Sequence, residues 1–323
     1  MLRGAIVGFG NVAQFGHWPG YVANGEAEIV AVVDQSENRR AAAKLLNHSL
    51  GTFHSLAEIN RDAIDFIDIC TPPSRHPEPM WQAIERGWHV LCEKPLLLES
   101  EIVDQVRAKA IEAGVAVVPV HNWKYAPIIR AVTKLLREGE IGKLRRVEIA
   151  TLRLRDAATA DESQPNWRRD PKVAGGGIVM DHGWHSIYLA LHWFNEIPEL
   201  ISAELARPNE QSVESEAILE LGFPSGETRV ELSWNASERA NRMKLVGEKG
   251  EIGVDDDTLT LNGKSTRFDS ALTAGSHHAD WFEAMLPDVL AAFRDPKKSR
   301  PIFEEAANCL AIIRRAYAVA RAS

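Results

Sequence analysis

The chain has 323 residues, 45% apolar and 25% charged, and at roughly 150 residues per domain this predicts about two domains with cores of their own. With 45 acidic against 37 basic side chains the net charge is −8, which argues against a phosphate-binding surface, so no nucleic-acid partner is expected. Cys70, Cys92 and Cys309 are far apart and no apolar run approaches the ~20 residues a membrane helix needs, so neither disulfides nor a membrane role is expected and the cytoplasm is the expected compartment.

In chain order, the first half alternates strands and helices. Apolar, β-branched runs at Gly4–Val7, Ile29–Val33, Phe66–Cys70, Val90–Cys92 and Val115–Val120 lack polar alternation, as parallel strands covered on both faces do. The first run stops at Gly8, too short for a signal segment. Helical patterns fall between the strands at Arg39–Leu46, Pro79–Arg86 and Ser100–Ala113, the last with Ser100 as N-cap and Gly114 just past its end. Repeated βα units predict an open parallel sheet wound right-handedly.

The second half changes character. A helix is expected over Ile128–Arg137, a strand over Leu144–Leu154, a polar loop to about Ala174 and a helix over Val179–Phe194. Closely spaced strands follow at Leu200–Leu205, Ala217–Phe223, Thr228–Trp234 and Arg242–Val246, reading as an antiparallel sheet, with terminal helices at Asp280–Phe293 and Glu304–Arg321. The expected fold class is therefore α/β. A nucleotide-type α/β domain over 1–121 precedes an α+β domain over 122–323 with a large, mostly antiparallel sheet.

Gly8-Phe9-Gly10-Asn11-Val12-Ala13 follows strand one and opens a helix, as a G-x-G-x-x-A motif must. The first glycine allows the tight turn, the second lets backbone approach a pyrophosphate at a helix N-terminus, and Ala13 permits close packing. Asp34 ends the second strand about 20 residues on, where a carboxylate binds a ribose 2′-hydroxyl. That favours NAD; Arg39 and Arg40 keep NADP open, since an arginine offsets the repulsion of a 2′-phosphate. Lys94, in Cys92-Glu93-Lys94-Pro95, lies beyond the carboxyl end of a strand, where ligand sites form; it polarises a substrate hydroxyl or is a surface lysine before a turn proline. Asp181 and His185 share a helix face at i,i+4, as a base and its orienting acid or as two hydroxyl-binding groups. The bland alternatives are a helix-start acid and a core histidine. Asp181, His182, His185 and His192 lack a zinc-type pattern, so no metal is expected.

These segments, with Cys70-Thr71-Pro72-Pro73-Ser74-Arg75-His76, Gly87–Pro95, His121–Pro127, Glu138–Lys143 and Gly175–His185, resemble the glucose–fructose oxidoreductase / inositol dehydrogenase / rhizopine-catabolism (Gfo/Idh/MocA) family in the right order along nearly the whole chain. The resemblance implies a catalytic lysine at Lys94, with a Lys94–Pro95 bond that is cis in relatives. Asp181 and His185 would bind the reacting carbinol, His185 as acid/base. It implies cofactor contacts from Gly8, Phe9, Gly10, Asn11, Val12, Asp34, Arg39, Thr71, Pro72, Pro73, His76, Glu93, Lys94, Asn122, Trp167 and Arg168. Substrate contacts would come from Lys94, Tyr125, Trp167, Asp181, Trp184 and His185. Trp123, Trp167, Trp184 and Trp193 fall in the stretch expected to line the substrate cleft. Two departures stand out: Tyr188 replaces the aspartate many relatives carry three residues past the histidine, and Trp123-Lys124 replaces a commoner basic pair. The resemblance makes 1–121 an NAD(P)-binding Rossmann domain and 122–323 a substrate-binding and oligomerisation domain, and the activity implied is hydride transfer between NAD (or NADP) and a secondary alcohol or ketone of a sugar, inositol or polyol, in a homodimer or homotetramer. A non-catalytic sugar sensor and an NAD-recycling lyase or glycosidase are the rival expectations.

Overall fold

The computed structural model describes residues 1–159, 165–209, 212–275 and 277–322. Residues 160–164 of the expected polar loop therefore lie outside the described residues. The chain divides into two compact units.

The first unit is built on strands β1 (Leu2–Val7), β2 (Ala27–Val33), β3 (Gly51–Phe53), β4 (Phe66–Ile69), β5 (His89–Cys92) and β6 (Val117–Pro119), in the order β3-β2-β1-β4-β5-β6. Every pairing is parallel, and this is the Rossmann order. β4 is buried at all four positions, which explains its unbroken apolar pattern. Helices α1 (Trp18–Asn24), α2 (Glu37–Leu46), α3 (Pro77–Glu85) and α4 (Ser100–Ala113) connect the strands, and a π turn at Ala13–His17 leads into α1. α4 ends at Gly114 in the left-handed conformation, as expected. Its cap differs: Glu99 occupies the N-cap, and Ser100 is already helical.

The second unit contains α5 (Pro127–Arg137), β7 (Leu144–Leu152), α6 (Pro171–Ala174) and α7 (Trp184–Phe194), the last entered through a second π turn at Val179–Gly183. Strands β8 (Glu199–Ala206), β9 (Glu216–Phe223), β10 (Gly226–Ser233), β11 (Ala240–Gly247), β12 (Glu251–Asp255), β13 (Thr258–Leu261) and β14 (Lys264–Arg267) follow. The sheet order is β14-β13-β12-β11-β7-β10-β9-β8; β10 runs parallel to β7 and the other pairs are antiparallel. The short strands β12 to β14, of which only β14 is polar throughout, extend the sheet beyond the strands read from the sequence. Val147, Ile149 and Thr151 of β7 point to the buried face, against which α7 packs. α7 is buried at every position from Trp184 to Leu191, the polar His185 and Ser186 included, so it is covered on all sides.

The expected single boundary at residue 121 does not describe the division. His277–Ala307 belongs to the first unit. The reason is α8 (Ala279–Arg294), whose apolar face completes the first unit's core. Phe282 stacks on His17 with ring centroids 3.9 Å apart, and Phe293 lies 5.2 Å from Phe66. α9 (Ser299–Ala322) ends the chain.

Candidate active site

In the first unit, the glycine loop takes the shape its sequence requires. Gly8 has φ +88°, and a Cβ there would strike Thr71. Its N–H bonds Val33 O, while Phe9 N–H donates to Asp34 Oδ2 at 2.7 Å. In front of Gly10 a Cβ would meet nothing within 4 Å, and Asn11 and Val12 open the helix behind it. Thr71 Oγ1, on the neighbouring turn, is buried without a hydrogen-bond partner. An open space, a helix N-terminus and an orphaned hydroxyl are the features a dinucleotide pyrophosphate requires, so these residues fit the cofactor.

Asp34 Oδ1 also accepts from Ser36 N–H, so the carboxylate is fixed at the end of β2. Arg39 Nη1 stands 3.7 Å from it, and Arg40 donates to the carbonyls of Asp34 and Gln35. Arg75 reaches the same corner through Gln35.

Lys94 follows β5, and its peptide bond to Pro95 is cis. Glu93 beside it faces inward, where Oε1 meets His17 Nε2 at 3.0 Å and Oε2 accepts from Lys94 N–H. His17 is 1% exposed, and its Nδ1 lies 2.8 Å from Asp68 Oδ2 and 3.2 Å from Cys70 Sγ. Tyr21 O–H also donates to Asp68 Oδ2. Burial, the largest single effect, works against a charge on His17, but Asp68 and Cys70 together hold the histidine well above its ordinary value. Burial likewise opposes ionisation of Glu93, yet the His17 hydrogen bond and charge, with Lys94, draw it below the ordinary range. Burial first, then Asp68, pushes the Cys70 thiol up to about 12. His17, Asp68 and Cys70 place three metal-type ligand atoms within 4.8 Å. The atoms stand at hydrogen-bond distances, with His17 Nδ1 between Asp68 Oδ2 and Cys70 Sγ, the spacing of a proton-bearing network. The sequence reading missed it, although Asp68 inside an apolar strand was a visible signal, because a buried carboxylate demands a partner.

His76 departs from its expected cofactor contact. It is fully buried, with Nε2 on Thr71 O and Nδ1 on Pro95 O and Leu96 O, so it fastens the Thr71 turn to the lysine turn and presents no surface.

In the second unit, Asp181 lies within the π turn, where the α-helical i,i+4 rule does not hold. Its Oδ2 is 3.6 Å from Arg168 Nε and 3.5 Å from His182 Nδ1. Glu214, also missed from the sequence, anchors this turn: Oε1 accepts from Gly177 N–H, Val179 N–H and Tyr317 O–H. A Cβ on Gly177 would collide with the Glu214 backbone, which accounts for glycine there.

His185 Nδ1 meets the Tyr188 hydroxyl at 2.9 Å, and its ring stacks on Trp123 at 4.8 Å. The Tyr188 hydroxyl oxygen (Oη) accepts from Trp123 N–H, and the Tyr188 ring stacks on His121. The orienting place expected for Asp181 is thus filled by Tyr188, the position where the sequence departs from its relatives. Trp184 is 0% exposed and donates its indole N–H to His121 Nε2, so it supports the site from the core and offers no face to a sugar. Trp193 donates to Thr133 Oγ1. Asn122 and Tyr125 are half-buried on the turn Asn122–Tyr125. Asp156 clamps Arg169 through two 2.8 Å contacts and also binds Asn166, fixing the Trp167-Arg168 turn between them, where the Arg168 guanidinium lies 4.3 Å over the Trp167 ring.

Residues 2–121 match the family model described as an oxidoreductase family with an NAD-binding Rossmann fold, and residues 129–253 match the Gfo/Idh/MocA C-terminal domain. Oxidoreductase P35 of Formosa agariphila is 28% identical over 265 residues, 80% of this chain and 81% of that protein. The 2,7-anhydro-N-acetylneuraminate hydratase of Escherichia coli is 26% identical over 254 residues, 75% of this chain and 66% of its own length. Other relatives are named D-apiose dehydrogenase and levoglucosan dehydrogenase. The solved structure of GenD2 from gentamicin A biosynthesis in complex with NAD shares the fold, with TM-score 0.84 at 22% identity, over 99% of this chain and 94% of that one. With both halves matched, the chain belongs to the Gfo/Idh/MocA oxidoreductase family and carries its NAD-binding Rossmann domain.

Proposed function

We propose that the chain is an NAD(P)-dependent oxidoreductase acting on a secondary alcohol, or the matching ketone, of a sugar, inositol or related polyol. The observation that carries this reading is His185. A histidine held by one hydroxyl and one aromatic face, on the same helical segment as Asp181, is a proton-transfer group with a fixed direction. The loop at Gly8, Gly10, Asn11 and Val12 would hold the pyrophosphate, Asp34 and Arg39 the adenosine ribose, and Thr71 with its prolines the flank of the cofactor. The nicotinamide, when bound, supplies the acceptor or donor of the hydride. Lys94 polarises the alcohol oxygen, His185 takes its proton, and Asp181, Arg168, Trp167 and Tyr125 orient the remaining hydroxyls. The test is reduction of NAD and NADP in the presence of sugars and polyols. Turnover lost in Lys94→Ala and His185→Ala with cofactor binding kept supports the reading; full activity in both variants refutes it.

The hydratase among the relatives favours one second reading, in which the cofactor is reduced and reoxidised within each turnover. Product formed from an anhydro-sugar without net cofactor reduction would select it. We further expect a homodimer or homotetramer, checked by light scattering, in a reducing cytoplasm suited to three buried free thiols. Among the described residues no helix is long and apolar enough to cross a membrane.

A further inference from the structure

We infer that the second unit carries an anion subsite, formed by Arg153, Arg168 and Asn241 beside Asp181, and that the substrate is a sugar acid whose carboxylate docks there. The inference rests on the oxidoreductase reading and narrows its substrate class.

Arg153 directly follows β7 and is 4% exposed. Its guanidinium donates to Leu152 O at 2.8 Å, Ala240 O at 3.1 Å and Asn241 Oδ1 at 3.0 Å. All three acceptors are neutral, so a buried cation is held by dipoles alone and its charge stays uncompensated at contact distance. Burial, with repulsion from Arg239, pushes its pKa down to about 10, while Asp181 and Asp256 act in the opposite direction.

The neighbouring groups are surplus donors. Asn241, 0% exposed, spends its amide oxygen on Arg153 and leaves Nδ2 without an acceptor. Thr151, its cross-strand partner, has a buried hydroxyl with no hydrogen bond. Arg168 Nε is buried and has no hydrogen bond, standing 3.6 Å from Asp181. Buried polar atoms are rarely left unpaired, and three such atoms, two at this sheet end and one beside Asp181, mark a ligand.

This end of the sheet lies against the Asp181 turn. Arg153 N–H bonds Ser233 O, and the next residue, Trp234, donates its indole N–H to His182 Nδ1 at 3.3 Å. The charge balance selects the anion. Arg153, Arg168 and Arg239 face Asp181 and Asp256, which leaves one positive charge. One carboxylate neutralises it and matches the planar fork of a guanidinium; a phosphate dianion would overfill it.

The competing reading is that Arg153 only staples β7 to β11. Calorimetry on the full chain saturated with NADH separates the two, using the pairs D-glucuronate and D-glucose, D-galacturonate and D-galactose, and D-gluconate and D-glucitol. The acid of at least one pair should bind about ten- to a hundredfold more tightly than its neutral partner. Arg153→Met should abolish the difference and Arg153→Lys should restore part of it; if Arg153→Met does not fold, Asn241→Leu carries the same comparison. NADH binding, read by its fluorescence, is monitored throughout. If NADH binds and no acid outbinds its neutral partner, the subsite is overturned and the oxidoreductase reading stands. If NADH does not bind, both fall.

Discussion

Replacing Glu214 with alanine removes one acceptor from three buried donors. Glu214 is 1% exposed, and its Oε1 accepts from Gly177 N–H at 2.9 Å, Val179 N–H at 3.1 Å and Tyr317 O–H at 2.7 Å. An orphaned buried polar group costs about 1–3 kcal/mol, so three cost at least about 3 kcal/mol. Against a total stability of about 5–15 kcal/mol that is a large loss, and it should lower the melting temperature by about 6–12 °C. Glu214→Gln keeps one carbonyl oxygen with two lone pairs and should cost about 1–2 kcal/mol. The two proteins should also differ in pH dependence. Burial raises the Glu214 pKa, opposed by its bonds to Tyr317, Val179 and Gly177. A carboxyl raised in the folded state contributes stability that is complete below its ordinary value near 4.5 and is lost as pH rises through the raised value. The wild-type advantage over Glu214→Gln should therefore shrink as pH rises. Urea denaturation followed by tryptophan fluorescence from pH 4.5 to 8 measures both quantities. An alanine variant within about 1 kcal/mol of wild type, or a wild-type advantage that grows with pH, refutes the reasoning.

Three further outcomes are expected. Tyr188→Phe strands Trp123 N–H and removes the partner of His185 Nδ1, so it should cost about 1–3 kcal/mol in denaturation and lower kcat about tenfold or more, with KM for the cofactor unchanged in steady-state assays. His17 is raised in the folded state, so its contribution is complete below its ordinary value near 6.5 and fades as pH rises through the raised value; melting curves of wild type and His17→Gln should converge on the alkaline side. Glu93 is lowered, so its share is lost on the acid side instead. Asp34→Ser removes the carboxylate that repels a 2′-phosphate and releases Arg39, and should move the ratio of kcat/KM for NADP over NAD upward by about tenfold or more.

The Rossmann half was legible because its physics is local. Apolar runs at strand length, the two glycines and an acid at the end of the second strand identify it without long-range information. What escaped was set by partners distant in sequence. The pattern of α8 shows an amphipathic helix, but nothing in it says which sheet covers it, and Phe282 finds His17 across more than 260 residues of chain. The Asp181–His185 pairing assumed 3.6 residues per turn, and the π turn removes that premise. Trp184 looked like a sugar platform because aromatic residues serve both cores and ligands; the mostly apolar make-up of α7 hinted at the core. Tyr188 was visible as a departure, yet its role needed the Trp123 backbone and the His185 ring in place.

The segment Glu93-Lys94-Pro95 divides its labour in a way that explains why it reads as one motif. Glu93 turns inward to His17, Lys94 stands beside it, and Pro95 gives its carbonyl to the buried His76. Two carboxylates, Asp68 and Glu93, surround one histidinium, leaving a single negative charge within reach of the Lys94 ammonium. His17 comes from the helix that would hold the pyrophosphate, and Asp68 from the strand between β1 and β5. Removing one partner from a buried ionic set costs about 3–5 kcal/mol. The lysine turn therefore cannot shift without disrupting the helix start and the central strand together. The backbone of the lysine turn is thus held by the core of the cofactor-binding unit, through Glu93 on one side and the Pro95 carbonyl on the other.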